Sequence, residues 1–121
     1  MKYMALIFEN EQKAAAAPQA DQEALFGRYM AFTEDVRKSG HFVSGEPLQP
    51  TSTATTVRVT SGGKVSTLDG PYAETKEQLG GFYIFECKNL DEAIELGARI
   101  CRLHLDGQVS VEVRPVLEMP E

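Results

Sequence analysis

Lys2-Tyr3-Met4-Ala5-Leu6-Ile7-Phe8 carries apolar side chains on both alternating faces of an extended chain: Tyr3, Ala5 and Ile7 on one, Met4, Leu6 and Phe8 on the other. A strand that is apolar on both sides belongs in the middle of a sheet, covered above and below. Phe82-Tyr83-Ile84-Phe85-Glu86-Cys87 has the same character and is expected to be a second central strand. Other extended segments read differently. Thr56–Thr60 and Lys64–Leu68 alternate around the turn Ser61-Gly62-Gly63, which predicts a hairpin with one wet face. Val109, Val111 and Val113 alternate with polar residues, as a half-buried strand does. His41–Leu48 contains Gly45 and Pro47, which suit a sheet edge or a bulge.

Between these segments the apolar period changes to that of a helix. Leu25, Tyr29, Phe32 and Val36 share one face of a helix expected to run from an N-cap at Asp21 to Gly40. Asn89-Leu90-Asp91-Glu92 resembles a capping box and opens a second helix reaching about His104, with Ala93, Gly97, Ile100 and Cys101 as its inner stripe. Gly97 costs such a helix roughly 1 kcal/mol relative to Ala, which implies close packing of the backbone on the sheet. Glu9–Ala20, with its four alanines and Pro18, has no apolar period and reads as a loop. Asp69–Gly81 reads as a connection holding one helical turn near Thr75–Gln78, stopped by the turn glycines Gly80 and Gly81.

The order is β-α-β, an inserted hairpin, then β-α-β over a single domain, residues 1–121. It predicts an α+β fold: a ferredoxin-like split βαβ sheet with both helices on one face. In that topology the first and third core strands are central, which are the two found apolar on both sides. The helix-free face then carries a patch larger than a monomer usually exposes. A homodimer in which two sheets pair face to face, a dimeric α+β barrel, would bury it. The alternative is that the hairpin folds over that face within one chain.

The 121 residues hold 18 acidic and 12 basic side chains, a formal charge of −6, with 42% apolar and 25% charged residues. This is a globular composition, and its acidity argues against nucleic acid as a partner. The apolar N-terminal run breaks at Glu9, too early for a secretory or membrane-spanning segment. Cys87 and Cys101 lack metal-like or redox spacing and are expected to be reduced, buried thiols in a cytoplasmic protein. With only His41 and His104, each explained by its place at a helix end, no metal site is expected. Neither a phosphate loop nor a nucleophile elbow occurs, so no cofactor is implied.

Met1-Lys2-Tyr3-Met4, Gly45–Thr51 and above all Asp69-Gly70-Pro71-Tyr72-Ala73-Glu74-Thr75-Lys76-Glu77-Gln78-Leu79-Gly80-Gly81 together resemble the DGPF-domain proteins, a branch of the YCII-related family. Tyr72 stands where the family's name has Phe. The resemblance implies a dimeric α+β barrel with a cleft, a bacterial cytoplasmic location and, in some relatives, a link to extracytoplasmic-function sigma factors. YCII proteins proper are thought to use a His/Asp pair on and near the end of the first helix. Those positions fall about at Tyr29 and Lys38 here, so the pair's chemistry is not carried over.

Asp69 and Glu46 are the candidate catalytic carboxylates. Pro71 has no N–H for the Asp69 side chain to cap, which leaves Asp69 to cap the turn at Tyr72–Thr75 or to face a ligand. Glu46 is the only acid in its stretch, on a strand expected to border the dimer seam of the barrel. Gly70, Pro71, Tyr72, Glu74, Lys76, Arg58 and Tyr29 are the candidate ligand-binding residues around them. The competing readings are a solvated charge run for Glu74, Lys76 and Glu77, a wet hairpin face for Arg58 and core bulk for Tyr29. The resulting expectation is a small-molecule-binding dimer, an enzyme using carboxylate acid/base chemistry near the DGPY turn being one form of it. The alternative is a non-enzymatic regulatory module.

Overall fold

The computed structural model describes residues 1–120. Its elements are β1 (Lys2–Glu9), α1 (Glu11–Ala16), α2 (Gln19–Lys38), β2 (Phe42–Pro47), β3 (Thr55–Val59), β4 (Val65–Asp69), β5 (Gln78–Glu86), α3 (Leu90–Leu103) and β6 (Val109–Pro115). Four strands form an antiparallel sheet in the order β2-β5-β1-β6, with the two doubly apolar strands in the centre. This is the ferredoxin-like arrangement expected from the element order.

The core lies on one side of that sheet. Tyr3, Ala5 and Ile7 of β1 and Tyr83 and Phe85 of β5, with Cys87 just beyond it, pack against Phe32 and Val36 of α2 and Ala93, Leu96 and Ile100 of α3. Gly97 explains how closely α3 approaches β6: a Cβ there would lie 3.2 Å from Val113 Cγ2 and 3.6 Å from Val111 Cγ1. Leu96, rather than Cys101, completes the buried stripe of α3, and Cys101 is only partly buried. On the opposite side, Met4, Leu6, Phe8, Phe82 and Ile84 have no helix over them and are all partly exposed. The hairpin β3–β4 pairs only with itself, and its Val57, Val59, Val65 and Leu68 are each at least 60% exposed.

Several local expectations are corrected. The Glu9–Ala20 segment holds the short helix α1. Asn10 Oδ1 accepts the Lys13 N–H at 3.0 Å, and Gln22 Nε2 donates to the carbonyls of Ala15 and Ala17 at its other end. Alanine propensity and polar capping therefore build a helix without an apolar stripe. The next helix starts at Gln19, after Pro18, instead of at Asp21. It ends at Ser39 and Gly40, the latter with φ +82°. The Thr75–Gln78 helical turn does not form. Gln78 opens β5, and Gly80 and Gly81 lie inside that strand, not in a turn. The β1–β5 register shifts there: Ile7 opposes Gly81 and Phe8 opposes Leu79, which leaves Gly80 as the extra residue of a bulge. Glu92 accepts from the N–H of Lys88 at 3.2 Å, one residue off a capping box, while Asn89 caps the Glu92 N–H as expected.

Candidate functional site

A cavity of about 420 Å³ lies between α2 and the β2 edge of the sheet, on the helix side. Leu25, Phe26, Tyr29, Met30 and Thr33 form its α2 wall, and Phe42, Leu48 and Tyr83 are among its apolar residues on the strand side. Gly80 and Gly81 leave part of its floor as bare backbone. A Cβ on Gly81 would come within 2.9 Å of the Glu46 carbonyl oxygen, so glycine is what lets β2 and β5 approach there.

Beside the exposed Arg37 and Glu46, three buried or half-buried polar groupings reach this space. The Tyr83 hydroxyl is held at 2.7 Å by Thr33 Oγ1, and burial raises the Tyr83 phenol pKa. The Tyr29 hydroxyl meets His104 Nε2 at 2.5 Å, with the rings edge to face. Burial raises the Tyr29 pKa far above the usual phenol value, and it lowers that of His104, with Arg28 adding to the lowering against an opposing effect of Asp106. Both partners are therefore neutral near pH 7. Glu9 is the third group. It continues the core-facing row Tyr3, Ala5, Ile7, and burial raises its pKa, helped by the negative charges of Asp106 and Glu11.

His104 thus differs from its expected role at a helix end. Its backbone N–H closes α3 on the Cys101 carbonyl, but its side chain turns into the core, 9% exposed, and binds Tyr29. A neutral buried imidazole does not serve the helix dipole as a cation. His41 bridges elements: Ser39 Oγ lies 2.7 Å from Nδ1 and Glu92 Oε1 lies 2.9 Å from Nε2, joining the end of α2 to the start of α3.

Of the residues singled out in the sequence, Tyr29 and Glu46 border this cavity. Glu46 is exposed on edge strand β2, its Cα opposite Phe82. Asp69 is the last residue of β4, exposed and paired with Thr55. Gly70 follows with φ +107°, its N–H bound to the Ala54 carbonyl and its carbonyl accepting from Thr56 Oγ1. Pro71 and Tyr72 border a second, more open concavity with Phe8, Pro50 and Leu79. The Arg58 guanidinium stands 5.0 Å from the Tyr72 ring centroid. Glu74 and Lys76 are exposed, with no ion pair among the described residues. The structure therefore groups Tyr29 with Glu9, His104 and Tyr83, and sets the DGPY segment with Arg58 elsewhere.

Glu9 and His104 were missed in the sequence. For Glu9 the signal was present, since it stands two residues after Ile7 and so on the same strand face. For His104 no local pattern announces a partner 75 positions away. Among the described residues no group of three or more His, Cys, Asp or Glu side chains is placed to hold a metal ion, and no helix is long and apolar enough to cross a membrane.

Fold and cavity define a ferredoxin-like α+β protein with a largely apolar pocket between helix and sheet edge. The chain belongs to the YCII-related family, whose domain model matches residues 1–120. It is 34% identical over 116 residues to an uncharacterised protein, R00369, of Rhizobium meliloti (strain 1021), an alignment covering 96% of this chain and 92% of that protein. Among solved structures, it is similar to the 5-chloro-2-hydroxyhydroquinone dehydrochlorinase of Burkholderia phenoliruptrix AC1100 in complex with 2,5-dihydroxybenzoquinone. The TM-score is 0.51 at 14% identity, over 98% of this chain and 96% of that one. At that identity the likeness speaks for the fold.

Proposed function

We propose that this protein binds a small molecule in the cavity between α2 and the sheet edge, where the Tyr29–His104 pair supplies a group competent for proton transfer. The observation that carries the reading is a neutral imidazole, buried and hydrogen-bonded to a phenol that borders an apolar cavity. Such a pair can hold or pass a proton at a bound ligand without first shedding a charge. The cavity volume falls in the range of small-ligand sites. The family membership, and a structural neighbour whose name is that of an enzyme acting on a small molecule, support the same class.

In this reading the acid/base carboxylate is Glu9, which borders the cavity half-buried, in place of Glu46, which borders it exposed, and of Asp69, which does not line it. The working form is a homodimer joined through the helix-free face, which Met4, Leu6, Phe8, Phe82 and Ile84 make too apolar to be left in water. Within the family we assign the chain to the DGPF-domain branch on the Asp69–Gly81 run. We place it in the cytoplasm on its two free thiols, one of them buried. The regulatory, sigma-factor-linked reading has no observation in its favour.

The test is a thermal-shift screen of small metabolites against the wild type and Tyr29→Phe. The expected result is a set of compounds that raise the melting temperature of the wild type and lose at least part of that effect in the variant. No stabilising compound, or identical responses from both proteins, overturns the site.

A further inference from the structure

The outer groove between α2 and α3 gathers three arginines in a chain whose net charge is −6. Arg28, Ala31 and Phe32 of α2 and Arg99, Arg102 and Leu103 of α3 line an open concavity of about 400 Å³, which shares no residue with the cavity at the sheet edge. Two of the guanidiniums are held in place. Arg28 Nε donates to the Leu103 carbonyl at 2.7 Å, and Arg99 stands 5.0 Å from the Phe32 ring centroid with its Nη2 2.5 Å from Asp35 Oδ2. Asp35 is the one carboxylate that pairs with any of the three, since among the described residues neither Arg28 nor Arg102 has an acidic partner. The acids that follow or precede the arginines of α3 do not neutralise them. Asp106 Oδ1 accepts the Gln108 N–H at 3.0 Å, Glu92 binds His41, and Glu95, one turn before Arg99, forms no ion pair.

Three guanidiniums against one carboxylate leave the groove two positive charges in excess. Arg99 and Arg102, three residues apart on one helix, repel each other, and an anion between them relieves that repulsion. We propose that this groove binds the phosphate group of a small phosphate monoester, through Arg102 and the Nη groups of Arg28 with Arg99 beside them. At neutral pH such an ester carries close to two negative charges, which matches the excess. Its oxygens fit the forked donors of guanidinium groups, two of which are already fixed in orientation. Ala31, Phe32 and Leu103 supply apolar surface beside the arginines for the carbon portion of the ester. A polyanion is disfavoured, because the net charge of −6 repels it everywhere beyond this single patch.

The test compares methyl phosphate with methyl sulfate, which has the same shape and one negative charge, at pH 7.5 and fixed ionic strength. Binding is followed in the full chain by the NMR shifts of the Ala31 and Leu103 methyl groups, with those of Leu25 and Met30 reporting on the other cavity. Methyl phosphate is expected to shift the first pair and not the second, and to bind roughly fivefold more tightly than methyl sulfate, the usual worth of one exposed charge contact. Arg102→Gln removes an exposed side chain without an ion pair and is expected to weaken methyl phosphate about fivefold. Lys64→Gln removes the same charge at the hairpin turn and is expected to leave binding unchanged. Equal binding of the two esters, equal losses in the two variants, or no loss in Arg102→Gln overturns the proposal, as does a shift confined to Leu25 and Met30 or no shift at all. A glycine-flanked phosphoserine peptide is expected to bind no more tightly than methyl phosphate; tighter binding assigns the groove to a phosphorylated protein and overturns the small-molecule assignment.

Discussion

The hydroxyl of Tyr29, midway along α2, lies 2.5 Å from Nε2 of His104, the residue that ends α3, with the two rings 5.4 Å apart between centroids. This contact joins the two helices at the edge of the core. The Leu103 carbonyl beside it accepts from Arg28 Nε at 2.7 Å, so α2 answers the end of α3 through two side chains. Tyr29→Phe keeps the ring and removes the oxygen, leaving a buried imidazole nitrogen without its partner. The expected cost is about 1–3 kcal/mol of folding stability, read as a lower midpoint in urea with an unchanged slope. A midpoint equal to that of the wild type would show that the contact contributes nothing.

Glu9 and His104 act on stability in opposite senses as pH changes. The His104 pKa is lowered by folding, so below the unfolded value of about 6.5 the unfolded chain takes up a proton that the native state refuses. Its contribution is complete above that value and is lost as pH falls toward the folded pKa. The Glu9 pKa is raised, so the native state holds a proton that the unfolded chain has released above about 4.3. Its contribution is present at low pH and is lost as pH rises through the folded pKa. Glu9→Gln is therefore expected to be more stable than the wild type at pH 7, with the advantage shrinking toward pH 4. Melting curves of both proteins across that range check it, and a constant difference would refute it.

Gly81 lies opposite Pro47, where β2 meets β5. A Cβ there would sit 2.9 Å from the Glu46 carbonyl oxygen and 3.2 Å from Pro47 Cα, both main-chain atoms that cannot rotate away. Gly81→Ala is expected to push the edge strand outward, cost about 1–3 kcal/mol and weaken any ligand of the neighbouring cavity. Calorimetry of unfolding, together with a titration of whichever ligand is found, reads both effects.

Ile84 stands on the helix-free side of the sheet, its Cα opposite Met4 on β1 and Ser44 on β2. With a homodimer formed through that side, Ile84→Glu buries an unpaired charge at the seam and is expected to yield monomers at micromolar concentration. Sedimentation velocity of both proteins is the measurement. A wild type that sediments as a monomer removes the dimer.

Much of this architecture was legible because it depends on periods that are local. Alternation in β1 and β5 placed both strands at the sheet centre, and the four-residue stripe of α2 placed Phe32 and Val36 in the core. Gly97 was readable as a close approach because glycine inside an amphipathic helix needs a packing reason. The site was less legible, because each of its parts has an ordinary reading taken alone. Glu9 reads as the first residue of a loop, although the alternation of β1 carries through it on the inner face. Gly80 and Gly81 read as a turn, although a bulge uses the same residues. His104 reads as a residue serving its own helix end, since its phenol partner is a tertiary contact. The DGPY segment drew attention by its composition, and its geometry sets it beside the hairpin, away from the phenol–imidazole pair.

Ala54 and Gly70 sit at the foot of the β3–β4 hairpin, where the Gly70 N–H donates to the Ala54 carbonyl at 2.7 Å and brings the two ends of the segment together. Everything between them is laddered only to itself. The excursion therefore behaves as a grafted branch whose removal need not disturb the trunk. The chain can exchange its amide protons there through local opening while the main sheet stays shut, and this is the place where sequence can be lengthened, trimmed or replaced at least expense to the rest.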